Sequence, residues 1–166
     1  MAEKNYILNK AAATQKLERL ALEIAEQLQA EDAELIIIGV RNSGLVIANK
    51  IGELVKQYLT STIKIIDASL NKDQPTAIAL SENIDFNNKN VLICDDVANS
   101  GKTLLYMLKP LLDFHPKRIQ TLVLVERMHK LFPVKPDFVG LSIATTLHDH
   151  IVVEIENGEV SGAYIK

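Results

Sequence analysis

The chain has 166 residues, of which 48% are apolar and 23% charged, and its formal net charge at pH 7 is −3. This length and apolar share predict one domain with its own core, extending over residues 1–166. The small acidic surplus argues against general nucleic-acid binding, which usually requires a basic surplus. The sequence begins without an apolar signal segment and contains no apolar run near the roughly 18 residues that span a membrane. We therefore expect a cytoplasmic protein that does not bind membranes.

The spacing of apolar residues predicts that helices and strands alternate along the chain. The predicted helices cover residues 11–29, 45–58 and 104–108, and the predicted strands cover residues 35–40, 63–67, 91–94, 122–125, 138–141 and 151–155. Residues 68–90 are mostly polar and are predicted to form a long loop with room for a small hairpin. Pro110 is expected to kink or shorten the last helix.

Alternating strands and helices indicate a mostly parallel sheet that is covered on both faces. In such a sheet the ligand lies beyond the carboxyl ends of the strands. Arg41, Asp67 and Asp95 each lie just after a predicted strand. We therefore expect three separated segments to converge on one crevice.

The segment from Val91 to Thr103 carries the strongest functional signal. Its apolar strand is followed by two adjacent carboxylates, Asp95 and Asp96, and then by a polar turn that opens a helix. The turn consists of Asn99, Ser100, Gly101, Lys102 and Thr103. Hydroxyl groups, backbone N–H groups, a positive charge and the start of a helix together favour a bound phosphate. Since carboxylates bind sugar hydroxyls and Mg²⁺, the segment predicts a site for a phosphorylated sugar, with the two acids as candidate metal ligands.

Two other interpretations of this segment compete with a sugar-phosphate site. In the first, the acids simply cap the following helix, although a cap needs one carboxylate and gives the polar turn no role. In the second, Gly101, Lys102 and Thr103 end a nucleoside-triphosphate P-loop. That motif requires a glycine five residues before Gly101, where this chain has Asp96, so the P-loop interpretation fails.

The same segment resembles the signature of type I phosphoribosyltransferases, in which an apolar strand and two acids precede a phosphate loop. The resemblance implies that Asp95 and Asp96 hold Mg²⁺ and the ribose hydroxyls of phosphoribosyl pyrophosphate (PRPP), and that residues 99–103 hold its 5′-phosphate. Ser100 replaces the commoner threonine and keeps the hydroxyl. The implied fold is α/β, with a mostly parallel Rossmann-like sheet flanked by helices, a mobile loop and a small base-binding hood. Residues 1–166 would then form a single phosphoribosyltransferase domain.

Two further segments resemble loops of this family. Residues 38–44 resemble its pyrophosphate loop, which here comprises Val40, Arg41, Asn42, Ser43 and Gly44. The guanidinium of Arg41 suits that role because its planar fork matches phosphate oxygens, although a simple surface turn remains the alternative. Residues 66–73 resemble the entrance to the mobile catalytic loop and contain Lys72. The resemblance thus gives Arg41, Lys72 and Asn99 as candidate catalytic residues.

Two segments near the end of the chain extend the resemblance. Residues 135–140 resemble the base-binding hood and give Phe138 and Val139 as candidate base-binding residues. A phenylalanine on a strand can stack on a flat base, but it can equally belong to the core. Residues 123–130 resemble a segment of the pyrimidine-operon regulators that double as uracil phosphoribosyltransferases. That group is the part of the family that the chain resembles most.

Four positions depart from the family pattern. Asn99 stands where oxopurine enzymes have an aspartate and pyrimidine regulators a tyrosine, and Ile119 stands where oxopurine enzymes have a lysine. These differences disfavour hypoxanthine, guanine and xanthine as substrates. Ser43 and Lys72 each replace an arginine, and each change removes an anion contact of about 1–3 kcal/mol.

The leading functional hypothesis is transfer of the 5-phosphoribosyl group from PRPP to a nucleobase, with uracil first, and release of pyrophosphate. The alternative is an RNA-binding attenuator of pyrimidine genes that senses a nucleotide in the same pocket and has weak or no catalysis. A third hypothesis is a PRPP-binding subunit without catalysis. The resemblance also implies a homodimer or a larger homo-oligomer.

Overall fold

The computed structural model describes residues 3–71, 73–74 and 76–166. The strands are β1 (Asn5–Asn9), β2 (Leu35–Val40), β3 (Ile63–Ser69), β4 (Ala79–Leu80), β5 (Asn90–Ala98), β6 (Arg118–Arg127), β7 (Phe138–Ile143), β8 (Ile151–Glu156) and β9 (Glu159–Ile165). The helices are α1 (Lys10–Leu28), α2 (Ser43–Val55) and α3 (Lys102–Met107), and a 3₁₀ turn (Lys109–Leu111) follows α3.

Six strands form a large sheet in the order β4-β3-β2-β5-β6-β7. The strands from β3 to β7 in that order pair in parallel, whereas β4 pairs with β3 in the antiparallel direction. Every residue of β2 is buried, as expected for a strand covered on both faces. The structure confirms the predicted α/β fold, with a mostly parallel sheet flanked by helices.

Helices cover both faces of this sheet. Side chains of a strand alternate between the two faces, so β2 contributes to two core clusters. Leu35 and Ile37 of β2 belong to one core cluster, which includes the apolar sides of α1 and α2. Ile36 and Ile38 belong to a second cluster, together with Phe86 and the apolar side of α3. In the described residues, no helix combines the length and apolar character needed to cross a membrane.

The observed helix ends differ from the predicted ones for local reasons. Helix α1 begins at Lys10 because the side chain of Asn9 caps it, accepting a hydrogen bond of 2.8 Å from the N–H of Ala12. Helix α2 begins at Ser43, so the end of the predicted pyrophosphate loop forms its first turn. The expectation for Pro110 is confirmed, since α3 ends at Met107 and gives way to the 3₁₀ turn.

Strand β5 corrects the predicted position of the two acids. The apolar pattern ends the strand at Cys94, but the strand continues through Asp95 and Asp96 to Ala98. It does so because pairing with β6 persists, with Ala98 opposite Glu126. The polar stretch after β3 contains the short strand β4, which pairs in the antiparallel direction with the end of β3.

A second, small sheet has the order β1-β9-β8 and is antiparallel. The sequence predicts neither β1 nor β9 and gives residues 151–155 as the last strand. The structure therefore corrects the prediction by adding a second sheet. Strand β1 is mostly exposed, and β9 carries small residues that give little apolar signal. At Gly162 the two strands approach so closely that a Cβ atom would lie 2.9 Å from the Leu8 carbonyl oxygen.

Strand β7 forms one edge of the large sheet. Residues 138–140, part of the segment predicted to form a hood, therefore belong to the large sheet and not to a separate unit. Two carbonyl groups of this edge are covered, because the Arg19 guanidinium of α1 donates to the oxygens of Val139 and Gly140 at 2.9 and 3.0 Å.

We expect the substitution Leu124→Ala to lower the free energy of unfolding by about 2–5 kcal/mol, because it leaves a cavity in the core. Leu124 lies in β6 and is fully buried at 0% exposure, whereas Leu112 is 72% exposed. The same change at Leu112 should alter stability by no more than about 0.5 kcal/mol. Urea denaturation of both variants measures the difference, and equal losses would contradict this description of the core.

Candidate functional site

The carboxyl ends of β2, β3 and β5 lie at one edge of the large sheet, because these strands are parallel neighbours. A Cβ atom at Gly44, in the first turn of α2, would lie 3.3 Å from Oδ1 of Asp95. Arg41, at the end of β2, forms a salt bridge with Asp67 of β3. The expected convergence of three segments is thus present in the structure.

The turn between β5 and α3 has the shape of an anion-binding loop. Gly101 has a positive φ of 84°, which favours glycine. The Ser100 hydroxyl accepts a hydrogen bond of 3.2 Å from the N–H of Lys102. The first N–H groups of a helix have no partner within that helix, so those at the start of α3 are directed toward this turn. Because α3 has six residues, the loop amides contribute more to anion binding than a helix dipole.

The segment 130–134 packs against this turn and forms hydrogen bonds with it. The backbone N–H groups of Leu131 and Phe132 both donate to the Ser100 carbonyl oxygen at 3.0 Å. A Cβ atom at Gly101 would lie 3.2 Å from the Val134 carbonyl oxygen and 3.7 Å from Cδ of Lys130. The turn is therefore in direct contact with this segment, and a larger residue at position 101 would press against it.

A buried ion pair lies at the start of the same segment. Glu126 is 6% exposed, and its Oε2 accepts a hydrogen bond of 2.6 Å from the Lys130 ammonium. Its Oε1 accepts a hydrogen bond of 2.7 Å from the Ser142 hydroxyl. Burial, the largest influence, raises the pKa of Glu126, but the contacts with Lys130 and Ser142 together outweigh it. The pKa of Glu126 therefore lies below its ordinary value, and the group is charged at neutral pH.

The two acids of β5 differ in their accessibility. Asp95 is 2% exposed, and its Oδ1 accepts a hydrogen bond of 2.9 Å from the N–H of Asp96. Asp96 is half-buried, and its Oδ1 accepts a hydrogen bond of 2.8 Å from the N–H of Val97. In the described ranges of the chain, no group of three or more His, Cys, Asp or Glu residues could hold a metal ion. Any metal here would therefore take further ligands from a substrate or from water.

Arg41 and Asp67 form the second charged contact of the site. The Asp67 carboxylate accepts from the Arg41 guanidinium, and the hydrogen bond from Arg41 holds the pKa of Asp67 below its ordinary value. The backbone N–H of Arg41 donates to the Ala68 carbonyl oxygen at 2.9 Å. The peptide bond between Arg41 and Asn42 is cis. Asp67 was expected at a strand end without a role of its own, and in the structure its carboxylate contacts the Arg41 guanidinium.

The Lys102 ammonium, which was predicted to add positive charge at the phosphate turn, contacts another part of the free chain. It donates to the Asp73 carbonyl oxygen at 3.2 Å, and the Lys109 ammonium donates to the Thr76 carbonyl oxygen at 3.1 Å. Both lysines thus contact the segment between β3 and β4. The candidate catalytic residue Lys72 lies outside the described residues.

The two predicted base-binding residues, Phe138 and Val139, have different environments in the structure. Phe138 is 2% exposed and packs in the core cluster that contains α1 and α2, so its ring cannot stack on a base. It pairs with Leu122, and Val139 pairs with Val123, which is also the partner of Asp95. The burial of Phe138 contradicts its assignment, whereas Val139 lies level with Asp95, two strands away, and stays a candidate. Asn99 is exposed beside the phosphate turn.

The sequence matches the phosphoribosyl transferase domain family over residues 4–157. The chain belongs to this family. It is also similar to curated proteins of known name. It is 31% identical to the Bifunctional protein PyrR of Macrococcus caseolyticus, over 99% of each chain. It is 32% identical to the Bifunctional protein PyrR of Limosilactobacillus reuteri, over 90% of each chain.

Solved phosphoribosyltransferase structures share the fold of this chain. The hypoxanthine phosphoribosyltransferase of Trypanosoma cruzi superposes with a TM-score of 0.80, covering 97% of this chain and 95% of that one, at 13% identity. A hypoxanthine-guanine phosphoribosyltransferase of Bacillus anthracis superposes with a TM-score of 0.73, covering 92% and 88%, at 20% identity. At these identities the likeness concerns the fold. Together with the family match, it confirms the predicted phosphoribosyltransferase class.

The pair formed by Glu126 and Lys130 was not predicted from the sequence. A signal was present, since Glu126 follows an apolar strand without a break and Lys130 stands four residues later. That spacing alone is common on solvated surfaces, so the sequence cannot distinguish a buried pair from an exposed one. The burial results from packing against the phosphate turn and β7.

We predict that Asp67→Asn removes a pH-dependent contribution to stability. Because the pKa of Asp67 is depressed in the folded chain, its contact with Arg41 stabilises the fold above about pH 4 and is lost as the pH falls through the folded-state pKa. The difference in unfolding free energy between wild type and variant should be constant at neutral pH and shrink below about pH 4. Urea denaturation across this range measures it. Asp113→Asn, at an exposed carboxylate, is the control, and a similar trend there would contradict the prediction.

Proposed function

We propose that the chain transfers the 5-phosphoribosyl group of PRPP to uracil and releases pyrophosphate. One observation carries the proposal: an anion-binding turn, two acids and an arginine lie at one edge of the sheet, with Gly44 approaching Asp95. PRPP presents a phosphate, ribose hydroxyls and a pyrophosphate in one molecule. Each of these groups has a chemically suitable partner at this edge.

The proposed reaction breaks the bond between ribose C1 and the pyrophosphate oxygen, and the bonding electrons leave with pyrophosphate. A ring nitrogen of the base forms the new bond to C1 and loses its proton to solvent. The amides and hydroxyls of residues 100–103 hold the 5′-phosphate, and Asp96 accepts from the ribose hydroxyls. Positive charge grows on the ribose ring as pyrophosphate departs, and the carboxylates of Asp95 and Asp96 stabilise that charge.

The pyrophosphate end is assigned to the loop that opens α2. Val40, Arg41, Asn42, Ser43 and Gly44 retain the pyrophosphate-loop role proposed from the resemblance. Pyrophosphate must compete with Asp67 for the Arg41 guanidinium, because these two side chains are paired in the free chain. Departure of pyrophosphate would then restore the salt bridge. Lys72, which lies outside the described residues, keeps its proposed catalytic role.

We propose that Mg²⁺ is the cofactor of this reaction. Asp95 and Asp96 offer the oxygen ligands that this ion prefers, and the half-buried Asp96 is the more accessible of the two. Mg²⁺ commonly binds one or two carboxylates and takes its other ligands from substrate phosphates and water, which fits this small donor set. When bound, it would neutralise charge on pyrophosphate.

Uracil is proposed as the base on two grounds. The similarity to Bifunctional PyrR proteins extends over almost the whole chain. Asn99 also stands where the oxopurine pattern has an aspartate, which disfavours purine bases. Ile119 carries no such argument, because it lies near the start of β6, away from the site. Phe138 is excluded by its burial, and we propose Val139 and the exposed Asn99 as the residues that contact the base. A homodimer or larger homo-oligomer and a cytoplasmic location remain predictions.

We expect release of pyrophosphate when the protein is incubated with PRPP, Mg²⁺ and uracil, and a lower rate with hypoxanthine or guanine. Asp96→Asn should lower kcat/KM about 10- to 100-fold, because it removes a charged hydrogen-bond acceptor of the ribose. Gly101→Ala should raise the KM for PRPP, because the φ of 84° and the Val134 carbonyl oxygen at 3.2 Å oppose a Cβ atom.

Gly158→Ala is the matched control for Gly101→Ala. Gly158 also has a positive φ, 76°, but it lies in the turn between β8 and β9, and a Cβ atom added there would meet no described atom within 4 Å. Both variants should therefore lose stability, whereas the loss of PRPP affinity should be confined to Gly101→Ala. No turnover with any nucleobase would overturn the proposed function.

A second candidate function is binding of pyrimidine-operon leader RNA, which the similarity to Bifunctional PyrR proteins favours. The first helix offers little free positive charge for it, since Lys10 pairs with Glu159 and Arg19 with Glu23. Specific binding should weaken steeply as salt is raised. Titration of such a leader RNA at two salt concentrations tests this function, and its failure would leave the transferase proposal intact.

A further inference from the structure

The ion pair between Glu126 and Lys130 is buried without an obvious benefit to stability. The exposed fractions of the two side chains are 8% and 12%. Removing charges from water is costly, and a buried ion pair is often no more stabilising than apolar residues of the same size. A buried pair at the edge of a ligand site therefore calls for a functional explanation.

The hydrogen bonds of Glu126 join it to neighbouring parts of the chain. One carboxylate oxygen accepts from Lys130 and the other from Ser142, and the residue is 6% exposed. The Lys130 ammonium also donates to the Arg127 carbonyl oxygen at 3.0 Å. These contacts close the chain into a tight turn directly after β6. The pair thus acts on its own segment of the chain.

That segment contacts the phosphate turn. Immediately after Lys130, the N–H groups of Leu131 and Phe132 donate to the Ser100 carbonyl oxygen, both at 3.0 Å. The side chain of Lys130 itself lies 3.7 Å from a Cβ position at Gly101. The residue next to Lys130 is therefore already hydrogen-bonded to the phosphate turn, and Lys130 itself is in van der Waals range of it.

We propose that Glu126 is a positioning residue for the phosphate turn. Together with Lys130 and Ser142 it holds residues 130–134 in the place where they fix Ser100 and Gly101, and so it sets the affinity for a 5′-phosphate that it does not touch. This inference rests on the proposed function for the identity of the ligand. Its structural part, the coupling between Glu126 and the turn, is independent of that function.

The test uses Glu126→Gln in the full chain, with Glu34→Gln as the matched control. Glu34 pairs with Lys89 at 2.9 Å, but that pair lies before β2 and β5 begin, at the opposite edge of the sheet. Hydrogen exchange of the Leu131 and Phe132 amides should accelerate about ten-fold or more in Glu126→Gln and stay unchanged in the control. Calorimetry should show about a ten-fold loss of affinity for ribose 5-phosphate with no change for pyrophosphate.

The outcomes separate positioning from general damage. Unchanged exchange at the two amides, or an equal loss of affinity for ribose 5-phosphate and pyrophosphate, overturns the inference. If Glu126→Gln does not fold, Ser142→Ala is the milder variant, since it removes one hydrogen bond from Glu126 and leaves the ion pair. The same two measurements then decide. If the wild-type chain binds no ribose 5-phosphate, the proposed function fails, whereas the exchange data still test the coupling.

Discussion

Parallel pairing of β2, β3, β5 and β6 is the constraint on which the functional site depends. In a parallel sheet the strands all end at the same edge, so residues far apart in sequence become neighbours there. Arg41 meets Asp67 in this way, and Gly44 meets Asp95. The requirement that such a sheet be buried on both faces explains why β2 is apolar along its whole length. The polar groups of the site follow where these buried strand residues end.

Much of this arrangement could be predicted from the sequence because its signals are local. Residues 35–40 form a continuous apolar run, and the structure has a strand with the same bounds. The acidic pair and the turn after it also form a compact pattern, and they lie at the edge where they were expected. Strands β1 and β9 were not predicted, because they are stabilised by pairing between the two ends of the chain. Such pairing leaves no local pattern in the sequence.

Side-chain environments were harder to predict than elements. Phe138 has the chemistry of a base-stacking residue, but in the structure it is buried in the core cluster that contains α1 and α2. Lys102 has the right sequence position for a phosphate ligand, yet its ammonium contacts the Asp73 carbonyl oxygen. In both cases the residue type was informative, while its role depended on neighbours from distant parts of the chain.

The contact between Arg19 and β7 has a consequence for how copies of this chain can meet. An outer strand with free carbonyl groups is a template onto which a strand of another molecule can add. The guanidinium occupies two of those acceptors, and at the other edge of the sheet β4 is two residues long. The contact with Arg19 therefore closes part of β7 to a foreign strand. If copies of this chain associate, we expect them to do so without adding a strand at this part of β7.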